Sequence, residues 1–326
     1  MRVSRPGRLI GSVLLAAVCA ANASAYAGNA ADWLMKMNEA STAISYDGMF
    51  VYMHDGQIEA MRVIHIVDDG LVRERLYSLN GATREVIRDD RQVWCYLPDQ
   101  KIGFRELRQA SDANFPSILP RRIDKLHLNY DFRLGKLGRI AQRQTQQIII
   151  EPKDEFRYGY NLWADNETGL LLKADLVDSF GESIEQYMFT QINLDGDVSV
   201  DDLTPSTPKQ ELKWFGLDPD VNQEPTSLNW EVTEIPDGFM LSGRVRRLSP
   251  VSRQTVEHLV YSDGLAAVSV FIEKKTKPSE QASMLGMSSM GAVHAFGTVI
   301  EDHQITVVGE VPSKTVDMIG MSVTPR

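Results

Sequence analysis

The spacing of apolar and polar positions changes period once, near residue 48. Before that point Trp33, Met37, Ala40 and Ile44 recur at helical spacing, with Leu34 widening the stripe. That predicts one helix, opening at an Asp32 N-cap. Beyond Gly48 the alternation has period two. Segments 49–54, 60–67, 72–79, 84–88, 92–97 and 103–107 are separated by His-Asp-Gly, Asp-Asp-Gly, Asn-Gly, Arg-Asp-Asp-Arg and Pro-Asp-Gln. Asn-Gly and Asp-Gly supply the positive φ of tight hairpins, so these read as six antiparallel strands. Residues 109–130 carry two prolines and no clear period; an irregular excursion covering one sheet face is expected. Strands resume at 130–136, 146–152, 158–164, 170–178 and 183–193. About eleven strands in one meander make a large curved sheet or barrel.

Residues 195–223 break the rhythm with Asp195, Asp197, Asp201, Asp202 and the prolines 205, 208 and 219. Such composition marks a connection between domains. The expected division is a domain over 28–200, a linker over 201–225 and a second domain over 226–326. In the second domain strands are predicted at 230–235, 239–249, 255–262, 267–273 and 304–311, with a short helix at 313–320. Residues 274–290, polar and carrying Met284, Met287 and Met290, are expected to form a mobile loop.

The first residues read as an address. Arg2, Arg5 and Arg8 precede a short apolar run, and Ala23-Ser-Ala25 fits a cleavage site, so residues 1–25 are predicted to be a cleaved export signal. Lipidation at Cys19 is the alternative, and Val18 stands where that processing wants a small residue. Cleavage removes three arginines and no acid, taking the net charge from −10 to −13. A surface that acidic repels nucleic acid, so none is expected as a partner. Cys95 is then the one remaining cysteine, which excludes an internal disulfide and CxxC metal sites. It sits in an apolar strand, where a buried, inert thiol is expected.

Catalytic and cofactor patterns fail on spacing. Gly286-Met-Ser-Ser-Met-Gly is one residue too long for a nucleophile elbow. Ser206-Thr-Pro-Lys lies in the proline-rich stretch, and Asp195-Gly-Asp lacks the later glycine and glutamate of a calcium loop. No phosphate-binding glycine pattern occurs. The six histidines share no metal-ligand spacing and read as isolated. The expectation is a protein that is not an enzyme, with no cofactor and no metal. Two features stand out instead. Strands with large side chains on both faces leave open either a packed interior or an apolar pocket under helical lids. Arg244, Arg246 and Arg247 cluster in an acidic chain, as a solvated strand edge or as a site for an acidic partner.

Segments along both halves resemble one family in one order. They include Gly48-Met-Phe-Val-Tyr, Val72-Arg-Glu-Arg-Leu, Arg157-Tyr-Gly-Tyr, Asp165-Asn-Glu-Thr-Gly-Leu, Ile235-Pro-Asp-Gly-Phe, Arg246-Arg-Leu-Ser-Pro-Val, Tyr261-Ser-Asp-Gly-Leu-Ala and Val307-Val-Gly-Glu-Val-Pro. Through these the chain resembles the RseB/MucB family, periplasmic regulators of the sigma-E (AlgU-type) envelope stress response. The resemblance implies an α+β protein: a large antiparallel half-barrel with covering helices, similar to the lipoprotein carriers LolA and LolB, plus a smaller α/β C-terminal domain. It implies a periplasmic location. Its partner would be the periplasmic domain of a transmembrane anti-sigma factor (RseA or MucA), shielded from proteolysis and released by lipid or lipopolysaccharide; a homo-oligomer is compatible with it. Partner contacts are expected around Arg246, Arg247, Tyr261, Asp263 and Leu265. Lipid contacts are expected from Phe50, Trp94, Phe104, Phe115 and Trp163. The alternative is a periplasmic lipoprotein or lipid carrier without a signalling role.

Overall fold

The structure is a computed structural model that describes residues 29–107, 119–120, 123, 125–194, 196, 198–216, 229–248, 255–275 and 285–326, with residues 247 and 248 described in backbone only. Helix α1 (Ala30–Ala43) opens it. The N-cap is Asn29, not Asp32. Its side chain accepts the Asp32 backbone N–H while the Asp32 carboxylate accepts the Asn29 N–H, closing a reciprocal capping box. Replacing Asn29 with Ala removes one half of that box and is expected to cost about 1 kcal/mol, read as a fall of about 2 °C in thermal midpoint by circular dichroism.

Twelve strands form the large sheet: β1 (Tyr46–His54), β2 (Gln57–Asp68), β3 (Leu71–Ser78), β4 (Glu85–Arg88), β5 (Gln92–Leu97), β6 (Ile102–Leu107), β7 (Tyr130–Ile140), β8 (Arg143–Pro152), β9 (Gly159–Asp165), β10 (Leu171–Val177), β11 (Ser183–Asn193) and β12 (Lys213–Gly216). The order β12-β6-β5-β4-β3-β2-β1-β11-β10-β9-β8-β7 is not the single meander expected. Between β6 and β7 the chain passes from one side of the sheet to the far edge, then returns strand by strand until β11 pairs with β1. Matched aromatics fix that junction: Phe50 lies opposite Phe189 with ring centroids 5.8 Å apart.

Local turn chemistry accounts for the hairpins. Asp55-Gly56 and Asp69-Gly70 both carry positive φ, the two-residue turn that suits twisted strands. Ala141-Gln142 makes the same turn with φ of 45° and 66° and no glycine. That is why β7 runs to Ile140, past the expected end at 136: the turn residues carry no turn signal. Leu34 and Met37 of α1 are fully buried among Ile148, Ile150 and Leu162 of β8 and β9. This gives the sheet a helix-covered face.

The stretch expected to be a linker is in part a strap. Residues 200–203 and 209–211 form single 3-10 turns. β12 then adds parallel to β6, with Trp214 edge-on to Tyr96 at 5.0 Å. Gly103 is needed there, since a Cβ would meet the Trp214 ring at 2.7 Å.

The second domain has a six-stranded antiparallel sheet. Its strands are β14 (Met240–Leu248), β15 (Thr255–Ser262), β16 (Ala267–Lys274), β17 (Gly286–Met290), β18 (Val293–Ile300) and β19 (His303–Gly309), in the order β14-β15-β16-β19-β18-β17. Short β13 (Trp230–Val232) and β20 (Val323–Pro325) pair with each other. Helix α2 (Ser313–Met321) lays Val316 and Ile319 on Ile305, Val307 and Phe296. β17 and β18 are corrections, since 286–290 was expected as loop and 293–300 had no assignment. β17 is exposed along its whole length, so it carries no buried alternation to read. The rest of the expected loop, 276–284, lies outside the described residues.

Candidate functional site

The first and second domains meet through charged residues that are shut away from water. Arg157, between β8 and β9, has a fully buried guanidinium. It donates to the Asp263 carboxylate at 2.5 Å, to the Asp237 carbonyl at 2.5 Å and to Asp154. The Tyr130 hydroxyl donates to the same Asp263 oxygen at 2.9 Å. The guanidinium also lies 5.0 Å from the Phe239 ring centroid and 5.6 Å from that of Tyr130. Burial and the Asp263 charge hold the Tyr130 phenol well above its usual range, so it remains a donor. The other Asp263 oxygen accepts the Leu265 and Ala266 N–H groups, which shapes the β15–β16 turn. Elsewhere along the boundary Thr315 donates to the Phe156 carbonyl at 2.7 Å, Lys314 pairs with Glu155, and the Ala292 N–H donates to Glu185 at 3.2 Å.

Beside these contacts lies a cleft of about 360 Å³. The first domain lines it with Tyr52, Tyr160, Leu176, Glu185 and Tyr187; the second contributes Leu265 and Glu310. Tyr52 donates to Glu185. Glu310 stays open to the water of the cleft, yet the surrounding protein and the Glu185 charge push its carboxyl up to about 7. Among the described residues Glu310 has neither a hydrogen bond nor an ion pair. No expectation named these two carboxylates. Glu310 stands as an acid in the apolar run Val307-Val-Gly-Glu-Val-Pro, and that is the signal the sequence offered.

The expected lipid contacts divide between two faces. Register carries the face of Phe50 through Met61 and Val63 to Leu76, Val86, Cys95, Phe104 and Phe215. In the other direction it runs through Phe189, Tyr187 and Ala174 to Leu162 and Ile148, against which α1 packs. Phe50 and Phe104 therefore share the helix-covered face. Trp94 and Trp163 are set one residue out of phase and face the other way. Trp163 carries the Lys173 ammonium 4.2 Å from its ring. Trp94 lines a separate cleft of about 400 Å³ with Arg105, Lys209 and Trp214. Phe115 lies outside the described residues. Cys95 is half-buried rather than buried, and burial raises its thiol pKa, which disfavours the reactive thiolate.

The expected partner contacts are also redistributed. Arg246 is half-buried and pairs with Glu257 on the neighbouring strand. Arg247 lies in register with Val256, and its side chain is outside the description. Tyr261 belongs to the core of the second domain, while Asp263 and Leu265 face the first domain. As arranged here, that turn joins the two domains instead of offering an open surface. His65 is a histidine of β2 whose ring is buried against Glu74 at 2.9 Å. Glu301, Asp302 and His303 bring three candidate metal-ligand atoms within 4.8 Å at an exposed turn, where Asp302 is engaged with Lys274 and His303.

The MucB/RseB N-terminal domain matches residues 29–207, and the MucB/RseB C-terminal domain matches residues 224–324. The chain belongs to the MucB/RseB family. Among curated relatives, the sigma factor AlgU regulatory protein MucB of Pseudomonas aeruginosa is 33% identical over 92% of each chain. The sigma-E factor regulatory protein RseB of Escherichia coli K12 is 29% identical over 93% of this chain and 92% of that one. A solved complex of Pseudomonas aeruginosa MucA and MucB matches 91% of this chain and 99% of that one at 32% identity, with a TM-score of 0.71. MucB in complex with MucA(peri) matches with a TM-score of 0.70 at 31% identity, over 91% of this chain and 99% of that one. The MucB/RseB likeness spans both domains and the interface between them, so the cleft lies within the matched part of the chain.

Proposed function

We propose that this chain is a periplasmic, non-enzymatic negative regulator of an envelope-stress sigma factor. In this reading it binds the periplasmic segment of a transmembrane anti-sigma factor and shields that segment from regulated proteolysis. The observation that carries the reading is the likeness across both domains to MucB in complex with MucA(peri). Lipid is the proposed release signal. The support is the part of the helix-covered face furthest from α1, where Phe104 is 38% exposed and packs against Phe215 at 5.9 Å. Apolar surface of that kind suits acyl chains better than headgroups. Coupling requires that lipid and partner prefer different arrangements of the two domains, and reciprocity then makes each weaken the other.

The test is calorimetry of the mature chain with the periplasmic segment of its cognate anti-sigma factor, with and without lipopolysaccharide. The expected result is a complex that lipid weakens, together with slower cleavage of the bound segment by the site-1 protease. Lipid uptake without any binding of the segment would leave a lipid carrier and remove the regulatory role.

A further inference from the structure

The cleft between the domains has an electrostatic character that a lipid headgroup does not fit. Its charged groups are Glu185 from β11 and Glu310 from the turn after β19, one from each domain. Among the described residues the titratable groups around Glu310 are Glu185, Tyr52 on β1, Tyr158 just before β9, Tyr160 on β9, and His294 on β18, whose strand position is opposite Gly309. His294 hydrogen-bonds the Val311 carbonyl and the Tyr158 hydroxyl. Among the described residues no lysine or arginine lines the cleft. Glu185 is satisfied by the Tyr52 hydroxyl and the Ala292 N–H. Glu310 faces a like charge and has no donor among the described residues.

We propose that this cleft is a recognition site for a lysine or arginine side chain presented by a polypeptide partner, with Glu310 as the principal acceptor. Three observations select that class. An anionic phosphate would meet two carboxylates and no cation, which opposes binding. A hard divalent ion takes six or more oxygens, whereas the walls here are Tyr160, Tyr187, Leu176 and Leu265. Aromatic and aliphatic walls do suit the stem of a lysine or arginine, with its charged end against a carboxylate and tyrosine faces alongside. Because the two acids come from different domains, the bound cation would hold the closed arrangement. This inference rests on the anti-sigma reading and adds the residue chemistry of the contact.

The sign of the pH dependence follows from which form binds. A cation favours ionised Glu310, so affinity should rise as pH climbs through about 7 and level off above it. A Glu310→Gln variant, which has no carboxyl to ionise there, should lose this dependence.

The experiment is calorimetry of the mature chain and its Glu310→Gln variant with the periplasmic anti-sigma segment, at about pH 8 and about pH 5.5. At the higher pH the variant should bind about tenfold more weakly, the factor that one charge-assisted hydrogen bond supplies at a water-accessible carboxylate. The native chain should lose a similar factor on acidification, and the variant much less. Glutamine is isosteric and removes a repulsion, so folding is preserved. Replacing the segment's lysines and arginines with glutamine, one at a time, should identify one position whose loss is not additive with Glu310→Gln. Equal affinities of native and variant chains at the higher pH, with binding intact, would overturn the inference and leave the regulator reading standing. Absence of binding by both would overturn the regulator reading and this inference with it.

Discussion

Replacing Asp263 with Asn is expected to destabilise the protein by about 3 kcal/mol and to loosen the second domain from the first. The native carboxylate and the Arg157 guanidinium have no exposure to water, so solvent screens neither. Removing one partner of such a pair leaves a buried charge that must be compensated or hydrated, which typically costs about 3–5 kcal/mol. The lower end applies because Arg157 keeps Asp154 at 2.9 Å, and Asp154 is itself part-exposed. Asparagine retains the side-chain oxygen that accepts the Leu265 and Ala266 N–H groups. The turn should therefore survive, and the loss belongs to the interface. Chemical denaturation should show the second domain separating at lower denaturant, and small-angle scattering should show a larger radius. An unchanged midpoint would mean that the pair contributes nothing net. A double replacement, Arg157→Met with Asp263→Asn, should recover part of the loss, because it removes the stranded charge.

The two segments that meet in this pair both carry the family resemblance, Arg157-Tyr-Gly-Tyr and Tyr261-Ser-Asp-Gly. Nothing in one sequence says that they touch, since 106 positions separate Arg157 and Asp263. The expectation of partner contacts at Tyr261, Asp263 and Leu265 comes with the family resemblance, which says nothing about what the turn touches within the chain. Local features were legible where alternation and turn residues marked them, and were missed at the Ala141-Gln142 turn and in β17 and β18. β5, β11 and β15 have their expected bounds, because alternation and turn residues are short-range signals. Long-range pairing was not. The return of β11 to β1 depends on matched aromatics across the sheet, and β12 is four residues in a proline-rich stretch with no alternation of its own. The same limit explains the candidate site. Period two says that Phe50 and Trp163 are in strands, but only register shows that they lie on opposite faces. Glu185 and Glu310 each look like ordinary strand or turn acids, and they become a pair only when the domains close.

A second large effect is expected where the chain leaves the first domain. Glu85 on β4 has a side chain only 3% exposed; it pairs with Arg75 and accepts the Ser206 backbone N–H at 3.0 Å. Arg75 in turn donates to the Asp202 carbonyl at 2.8 Å and the Ser206 hydroxyl at 2.7 Å. One buried carboxylate thus anchors the strap that continues through the 209–211 turn into β12. Glu85→Ala strands the Arg75 charge, whose side chain is 13% exposed, and leaves an amide without its acceptor. The expected cost is about 2–3 kcal/mol, below that of a fully buried pair because Arg75 keeps two neutral acceptors and some water. Releasing the strap also lengthens the connection to the second domain, but each doubling of a loop costs about 0.6 kcal/mol of closure entropy, so the lost ion pair dominates. Hydrogen exchange should show early loss of protection at Ser206 and along β12, and limited proteolysis should cut between residues 200 and 212. If those amides stay protected while global stability falls, the strap is held by Trp214 packing on Gly103 and Tyr96, and Glu85 acts within the sheet alone. Glu85→Gln, which keeps an acceptor for the Ser206 amide, should cost less than Glu85→Ala and keep more of that protection.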